Sequence, residues 1–233
     1  MIRFIRTAAL ALAASTCLVS PAQAEVTESS DSHFVTRYAV EVAAPPKEVW
    51  LALIAPGDWW NDSHTWSTDA SNMSLTPQAG GCFCETIPAE DGVTTYGLEG
   101  SVQHMVVVQA VPRKVLRMRG ALGPLQSEPV DGVMTITMQE IEDEDGEARG
   151  TRIVWEYVVG GTMRFEIPQI SKAVDGVIGQ QALGLAEALG GPIVEDEEGE
   201  ASAFDSAFGP DGDGEGEGEE DAESETFEPG EGR

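Results

Sequence analysis

From Asn72 to Val159 the sequence breaks into short apolar segments separated only by turn signals, and nothing else about it limits the fold so strongly. Alternation of apolar and polar residues marks strands at Asn72 to Leu75, Cys82 to Ile87, residues 95–111, Lys114 to Arg119, Val133 to Ile141 and Thr151 to Val159. Gly80-Gly81, Glu90-Asp91-Gly92 and Asp143-Glu144-Asp145-Gly146 supply turns between them. A parallel pair of strands needs a long crossover, usually helical, and no such segment interrupts this series. The expected product is an antiparallel meander.

Other patterns flank the meander. Phe34 to Val42 alternates as a first strand, with Tyr38, Val40 and Val42 on one face. Pro45-Pro46 then opens a short helix, Lys47 to Ile54, whose apolar side is Val49, Trp50, Leu53 and Ile54. At the other end a helical period runs from Pro168 to Leu189. Ile170, Val174, Val177, Ile178, Leu185, Ala188 and Leu189 share one stripe, and Gly190-Gly191-Pro192 stops it. Gly176 and Gly179 fall on the opposite side, each costing roughly 1 kcal/mol against alanine, so packing onto the sheet must hold this helix. The fold class expected is α+β: a curved antiparallel sheet of about six to seven strands around a long C-terminal helix, with short helices after the first strand, over residues 33–191.

Both ends of the chain differ from this domain. Met1, Arg3 and Arg6 precede an apolar run from Thr7 to Val19 and then Pro21-Ala22-Gln23-Ala24. A basic start, a short apolar stretch and a small-residue ending describe a signal peptide over residues 1–24, so the chain is expected to be exported, to the periplasm. From Glu195 to Arg233 there are seventeen acidic residues, one basic residue and many glycines. Such a segment has too little apolar surface to offset its ordering entropy and is expected to be a disordered acidic tail. The formal net charge of −28 becomes about −30 once Arg3 and Arg6 leave with the leader. That charge repels phosphate backbones and anionic lipid, which excludes nucleic acid as a partner and argues against membrane insertion after cleavage.

Several local runs carry a family resemblance. Pro45-Pro46-Lys47-Glu48-Val49-Trp50 resembles the first-helix signature of the START-like (SRPBCC, helix-grip) superfamily. Trp59-Trp60, His64-Thr65-Trp66-Ser67, Gly80-Gly81-Cys82-Phe83-Cys84-Glu85 and the run from Arg119 to Gln126 resemble a bacterial polyketide cyclase or dehydrase-like subgroup of it. The resemblance covers about residues 33–190. It implies a cavity between sheet and final helix that holds an apolar small molecule, lipid-, isoprenoid- or polyketide-like. Two other functions are implied by other members: a cyclase or dehydratase, and a protein-interaction module like the heat-shock ATPase activators. Fold alone does not choose among them.

The residues that could serve such a cavity are polar groups on apolar faces and the aromatic set. His104 lies on a strand face with Val102, Val106 and Val108, and Gln181 sits within the apolar stripe of the last helix. Buried there, each requires a partner in the protein, a water or a ligand. Trp60, Trp66, Tyr96 and Trp155 are the aromatic candidates for the ligand, while Trp59 and Tyr157 belong to the same set. In an enzyme His104 would be the general acid/base, completed by Glu85 or His64 if the fold brings them together. Cys82 and Cys84 are expected to be two packed thiols, and no metal or cofactor is expected. The phosphate loop, the Gly-x-Ser-x-Gly elbow and the His-Glu-x-x-His helix are all missing from the sequence.

Overall fold

A computed structural model describes residues 25–89 and 99–193, so the expected signal peptide, Tyr96 and the expected disordered tail lie outside the described residues. The strands are β1 (Glu25–Ser29), β2 (His33–Val42), β3 (Met73–Leu75), β4 (Cys82–Ile87), β5 (Gly100–Val111), β6 (Val115–Arg119), β7 (Val130–Glu142) and β8 (Ala148–Gly161). Among the described residues two α-helices accompany them, α1 (Pro46–Leu53) and α2 (Ile167–Ala188). All eight strands form one antiparallel sheet in the order β1-β2-β8-β7-β6-β5-β4-β3.

The expected count of six to seven strands is corrected to eight by β1. Its sequence, Glu-Val-Thr-Glu-Ser, has no apolar alternation, and four of its five residues are exposed. It is held through backbone pairing with β2 along the sheet edge, an interaction that leaves no side-chain pattern to read.

Alternation decides which face of the sheet is inward. Phe34, Tyr38, Val40 and Val42 of β2, Met134, Ile136 and Met138 of β7, and Ile153, Trp155, Tyr157 and Val159 of β8 are all buried. Side chains of this size contribute about 1.5–3 kcal/mol each when fully buried. The Tyr157 ring lies against Gly132 of the neighbouring strand, where a Cβ would meet its hydroxyl at 2.6 Å. That hydroxyl donates to the Gly120 carbonyl and accepts from Leu122 N–H, each at 3.3 Å.

Helix α2 lies mainly along β2 and β1 and also touches α1. Its buried face is Ile170, Ser171, Ile178, Gly179, Gln181, Ala182, Leu185 and Ala186, while Ala188 is exposed and Val174 and Val177 are half-buried. The stripe is thus rotated from the expected one, and Gly179 faces inward. Small residues on that side let the helix approach its neighbours closely. The same logic holds at Gly184, where a Cβ would lie 2.8 Å from the Trp59 carbonyl oxygen.

Two local irregularities set the inner face of the sheet near β4 and β5. Phe83 pairs with Met105 and Cys84 with Gln103, so His104 is the extra residue of a β-bulge in β5. Past the bulge the alternation changes phase: Met105 and Val107 are buried beside His104, and Val108 is 43% exposed. The expectation that His104 shares its face with Val106 and Val108 is corrected on this ground. The thiol expectation is corrected as well, because Cys82 and Cys84 form a disulfide on the opposite face of β4 from Phe83 and Glu85. Their Cα atoms are 5.4 Å apart at the register shift, inside the range a disulfide spans and closer than an ideal extended pair.

Candidate functional site

Between the inner face of the sheet and α1 lies an apolar cavity of about 20 Å³. Met105, Leu116, Met118, Met134, Ile136 and Trp155 form its floor on the sheet, and Phe83, Leu75 and Leu122 its flank. Leu53, Pro56, Trp59 and Trp60 form the roof. The cavity expected between the sheet and the final helix is corrected in place and size: no α2 residue is among its lining, and it has the room of one water-sized molecule. Trp155, one of the lining residues, is 1% exposed, and its indole N–H is buried without a hydrogen-bond partner among the described residues.

The roof continues into an irregular segment, residues 55–72, built from three single 3₁₀ turns. Such a segment has few backbone bonds of its own, so side chains from elsewhere must hold it. Gln181 does so from α2. Its Oε1 accepts from Asn61 N–H at 3.0 Å, and its Nε2 donates to His64 Nδ1 at 2.7 Å. Glu85 does so from β4, accepting from Trp66 N–H at 3.1 Å and from Ser67 N–H at 2.5 Å. Two fully buried polar side chains thus converge on one tryptophan-rich segment.

Glu85 has a third partner, His104, whose Nε2 lies 3.0 Å from Glu85 Oε2. Burial alone would raise the Glu85 carboxyl, but the hydrogen bonds from Ser67, Trp66 and His104 outweigh it and hold the group below its ordinary value. Burial lowers the His104 imidazole more than the neighbouring carboxylate raises it. The pair is accordingly a carboxylate and a neutral imidazole at pH 7, with Nε2–H donating. His104 Nδ1 remains an acceptor facing Gln126 Nε2 at 3.5 Å, and Gln126 Oε1 accepts from Trp66 Nε1 at 3.2 Å. Glu128, two residues on, accepts from Arg164 N–H at 2.9 Å and Arg164 Nε at 2.8 Å, tying this turn to the connection before α2.

The residues singled out from sequence therefore divide into groups. Trp60 and Trp155 line the cavity, with Trp59 and Trp155 in edge contact at 6.0 Å between ring centres. His104 is not among the lining residues; Phe83, which packs against its ring at 5.3 Å, is. Gln181 and His64 meet each other and not His104. Trp66 is 55% exposed and caps the Glu85–His104 pair from outside. Elsewhere, on the surface, Arg117 meets Thr135 and Gln109, and Arg119 pairs with Asp131; the sequence reading made neither a site residue. Sequence reading gave no role to Gln126 or to Met105, Met118 and Met134. Gln126 closes one of the runs that carry the family resemblance, which was the available signal. The methionines offered none beyond strand alternation.

An α+β chain with one antiparallel sheet, a long final helix and a small apolar cavity lined in part by Trp155 is the class that fold and site define. No family model matches the chain, and no curated protein matches it. The chain is similar to the solved structure of a protein from Rhodobacter sphaeroides, 16% identical over 72% of this chain and 98% of that one, with a TM-score of 0.44. It is also similar to an uncharacterised protein from Rhizobium leguminosarum, 18% identical over 72% and 99%, with a TM-score of 0.44. A protein from Nitrosomonas europaea is 15% identical over 70% and 97%, with a TM-score of 0.44.

Proposed function

We propose that the chain is an exported, START-like (helix-grip) binder or carrier of an apolar small molecule that bears a hydrogen-bond acceptor. The observation that carries this reading is that Trp155, a residue lining an apolar cavity, has an indole N–H buried without a partner among the described residues. Leaving a buried donor unpaired costs about 1–3 kcal/mol, and a guest that brings a carbonyl or hydroxyl oxygen recovers it. An apolar pocket with one placed polar group is the usual form of a small-molecule site. A guest larger than a water needs room, and the lining supports this: Met105, Met118 and Met134 are unbranched and adaptable. The roof over them is the segment secured by Gln181 and Glu85, the part of the domain with least regular structure.

A cyclase or dehydratase using His104 has one observation in its favour, the hydrogen bond to Glu85. It suits the geometry less well, because the imidazole lies outside the cavity lining and its carboxylate partner is spent on the Trp66 and Ser67 amides. Calorimetric titration with a monoterpene ketone and its parent hydrocarbon tests the binding reading. The ketone is expected to bind more tightly, and Trp155→Phe to remove roughly a tenfold advantage, the worth of one neutral hydrogen bond. Absence of binding by either compound would end the proposal.

A further inference from the structure

The β4 residues from Cys82 to Glu85 face two ways in alternation. Phe83 and Glu85 are buried on the inner side, and each holds the roof of the cavity. The Phe83 ring, which lines the cavity, lies 5.3 Å from that of Trp60, and Glu85 accepts from the Trp66 and Ser67 amides. Cys82 and Cys84 lie on the other face, and their disulfide brackets Phe83.

An extended strand holds the Cα atoms of residues i and i+2 about 6.6–6.8 Å apart. Those of Cys82 and Cys84 are 5.4 Å apart, so β4 is drawn in at Phe83. The partner strand changes at the same point: the register shifts between Phe83 and Cys84, and β5 carries the extra residue His104, 3.0 Å from Glu85. Disulfide, bulge and the Glu85–His104 contact therefore share one short stretch of the ladder. The bond is also within reach of solvent. Both cysteines are half-buried, and the residues beside Cys84 on the neighbouring strands, Ser74 and Gln103, are exposed. So short a loop gains little from closure entropy, and a disulfide open to thiolate attack is the kind that exchanges.

We propose that the Cys82–Cys84 bond is a redox latch on the cavity roof. Oxidised, it fixes Phe83 and Glu85 where they close the roof. A dithiol releases it: one thiolate attacks a cysteine sulfur, the second thiol displaces the mixed disulfide, and the reductant leaves as its own disulfide. Two electrons and two protons pass to the chain, and Cys82 and Cys84 become thiols. β4 then returns toward the extended spacing, and the roof, tied to it at Phe83 and Glu85, loosens. The latch stands on the fold; its effect on a ligand rests on the proposed binding of an apolar guest. A cavity of about 20 Å³ admits such a guest only with the roof displaced, so a larger open population tightens the apparent affinity.

Amide exchange in the full chain, oxidised and after reduction with dithiothreitol, tests the latch. The Trp66 and Ser67 amides are expected to exchange roughly tenfold faster in the reduced chain, the scale of the constraint so short a loop supplies, with β7 and β8 unchanged. Cys82→Ser/Cys84→Ser is expected to match the reduced chain without any reductant. Calorimetry is expected to find the monoterpene ketone bound roughly tenfold tighter by the reduced chain. Unchanged exchange at Trp66 and Ser67, in a chain whose mass shows it reduced, overturns the latch. So does equal quickening across β7 and β8, which makes the bond a staple of the whole domain. Quickened exchange with equal ketone affinity in both forms overturns its control of binding. Binding of the ketone by neither form ends the binding reading, and the exchange result still judges the latch.

Discussion

His104 Nε2 lies 3.0 Å from Glu85 Oε2, and this contact joins a β-bulge to the segment that roofs the cavity. Glu85 is the hub, because the same carboxylate receives the Trp66 and Ser67 amides. Glu85→Ala would strand a buried imidazole and two backbone donors at once. A loss of at least about 3 kcal/mol is expected, at about 1–3 kcal/mol for each buried donor left unpaired, read as a shift of the urea midpoint. Glu85→Gln, which keeps an acceptor, is expected to lose clearly less.

The pH dependence of stability follows from the same pair. The native His104 pKa lies below its ordinary value of 6.5, so between the two values the unfolded chain binds more protons. Stability is present above 6.5 and is lost as pH falls through the native value. Glu85 is also lowered, from 4.5, and its contribution is likewise lost as pH falls through its native value. Both slopes have the same sign, with His104 acting first on acidification. Urea midpoints measured over a pH series are expected to decline below 6.5 in the wild type and to flatten there in His104→Gln. Identical profiles would assign the decline to other groups.

How much of this was legible in the sequence depends on what kind of force places each residue. The meander and the last helix were readable because burial imposes a period on side chains. β1 was not, since four of its five residues are exposed and it pairs with β2 without an apolar alternation. The bulge at His104 was also invisible: one unpaired residue changes the phase of β5 without changing its composition. That single shift explains why His104 was grouped with Val106 and Val108 instead of Met105 and Val107. Gln181 was recognised as a buried polar group, but its partners Asn61 and His64 are more than a hundred positions away and only the fold brings them near.

Gln181 offers a test of how the roof is held. Gln181→Leu keeps the volume and removes both contacts, leaving Asn61 N–H and His64 Nδ1 unpaired. The expected cost is about 1–3 kcal/mol. Amide exchange at Asn61 is expected to quicken while that of β7 and β8 stays slow. Uniform quickening across the sheet would mean that the contact supports the whole domain and not the roof.

The Cys82–Cys84 disulfide closes a very short loop, so its removal should cost little. Loop-closure entropy for three residues gives about 1–2 kcal/mol for Cys82→Ser/Cys84→Ser. The bond itself is checked by mass spectrometry of the cleaved chain with and without reductant. Two freely alkylated cysteines in the unreduced protein would contradict it.

The central claim is that the buried indole N–H of Trp155 awaits an acceptor from an apolar guest, and its own nuclear magnetic resonance signal reports on this most directly. With the Trp155 Nε1–H resonance assigned by its loss in Trp155→Phe, a monoterpene ketone is expected to move that signal downfield as the site fills. The matching hydrocarbon is expected to leave it in place. A signal indifferent to the ketone at saturation, or one already exchanging with a trapped water, would show that the cavity is ordinary core.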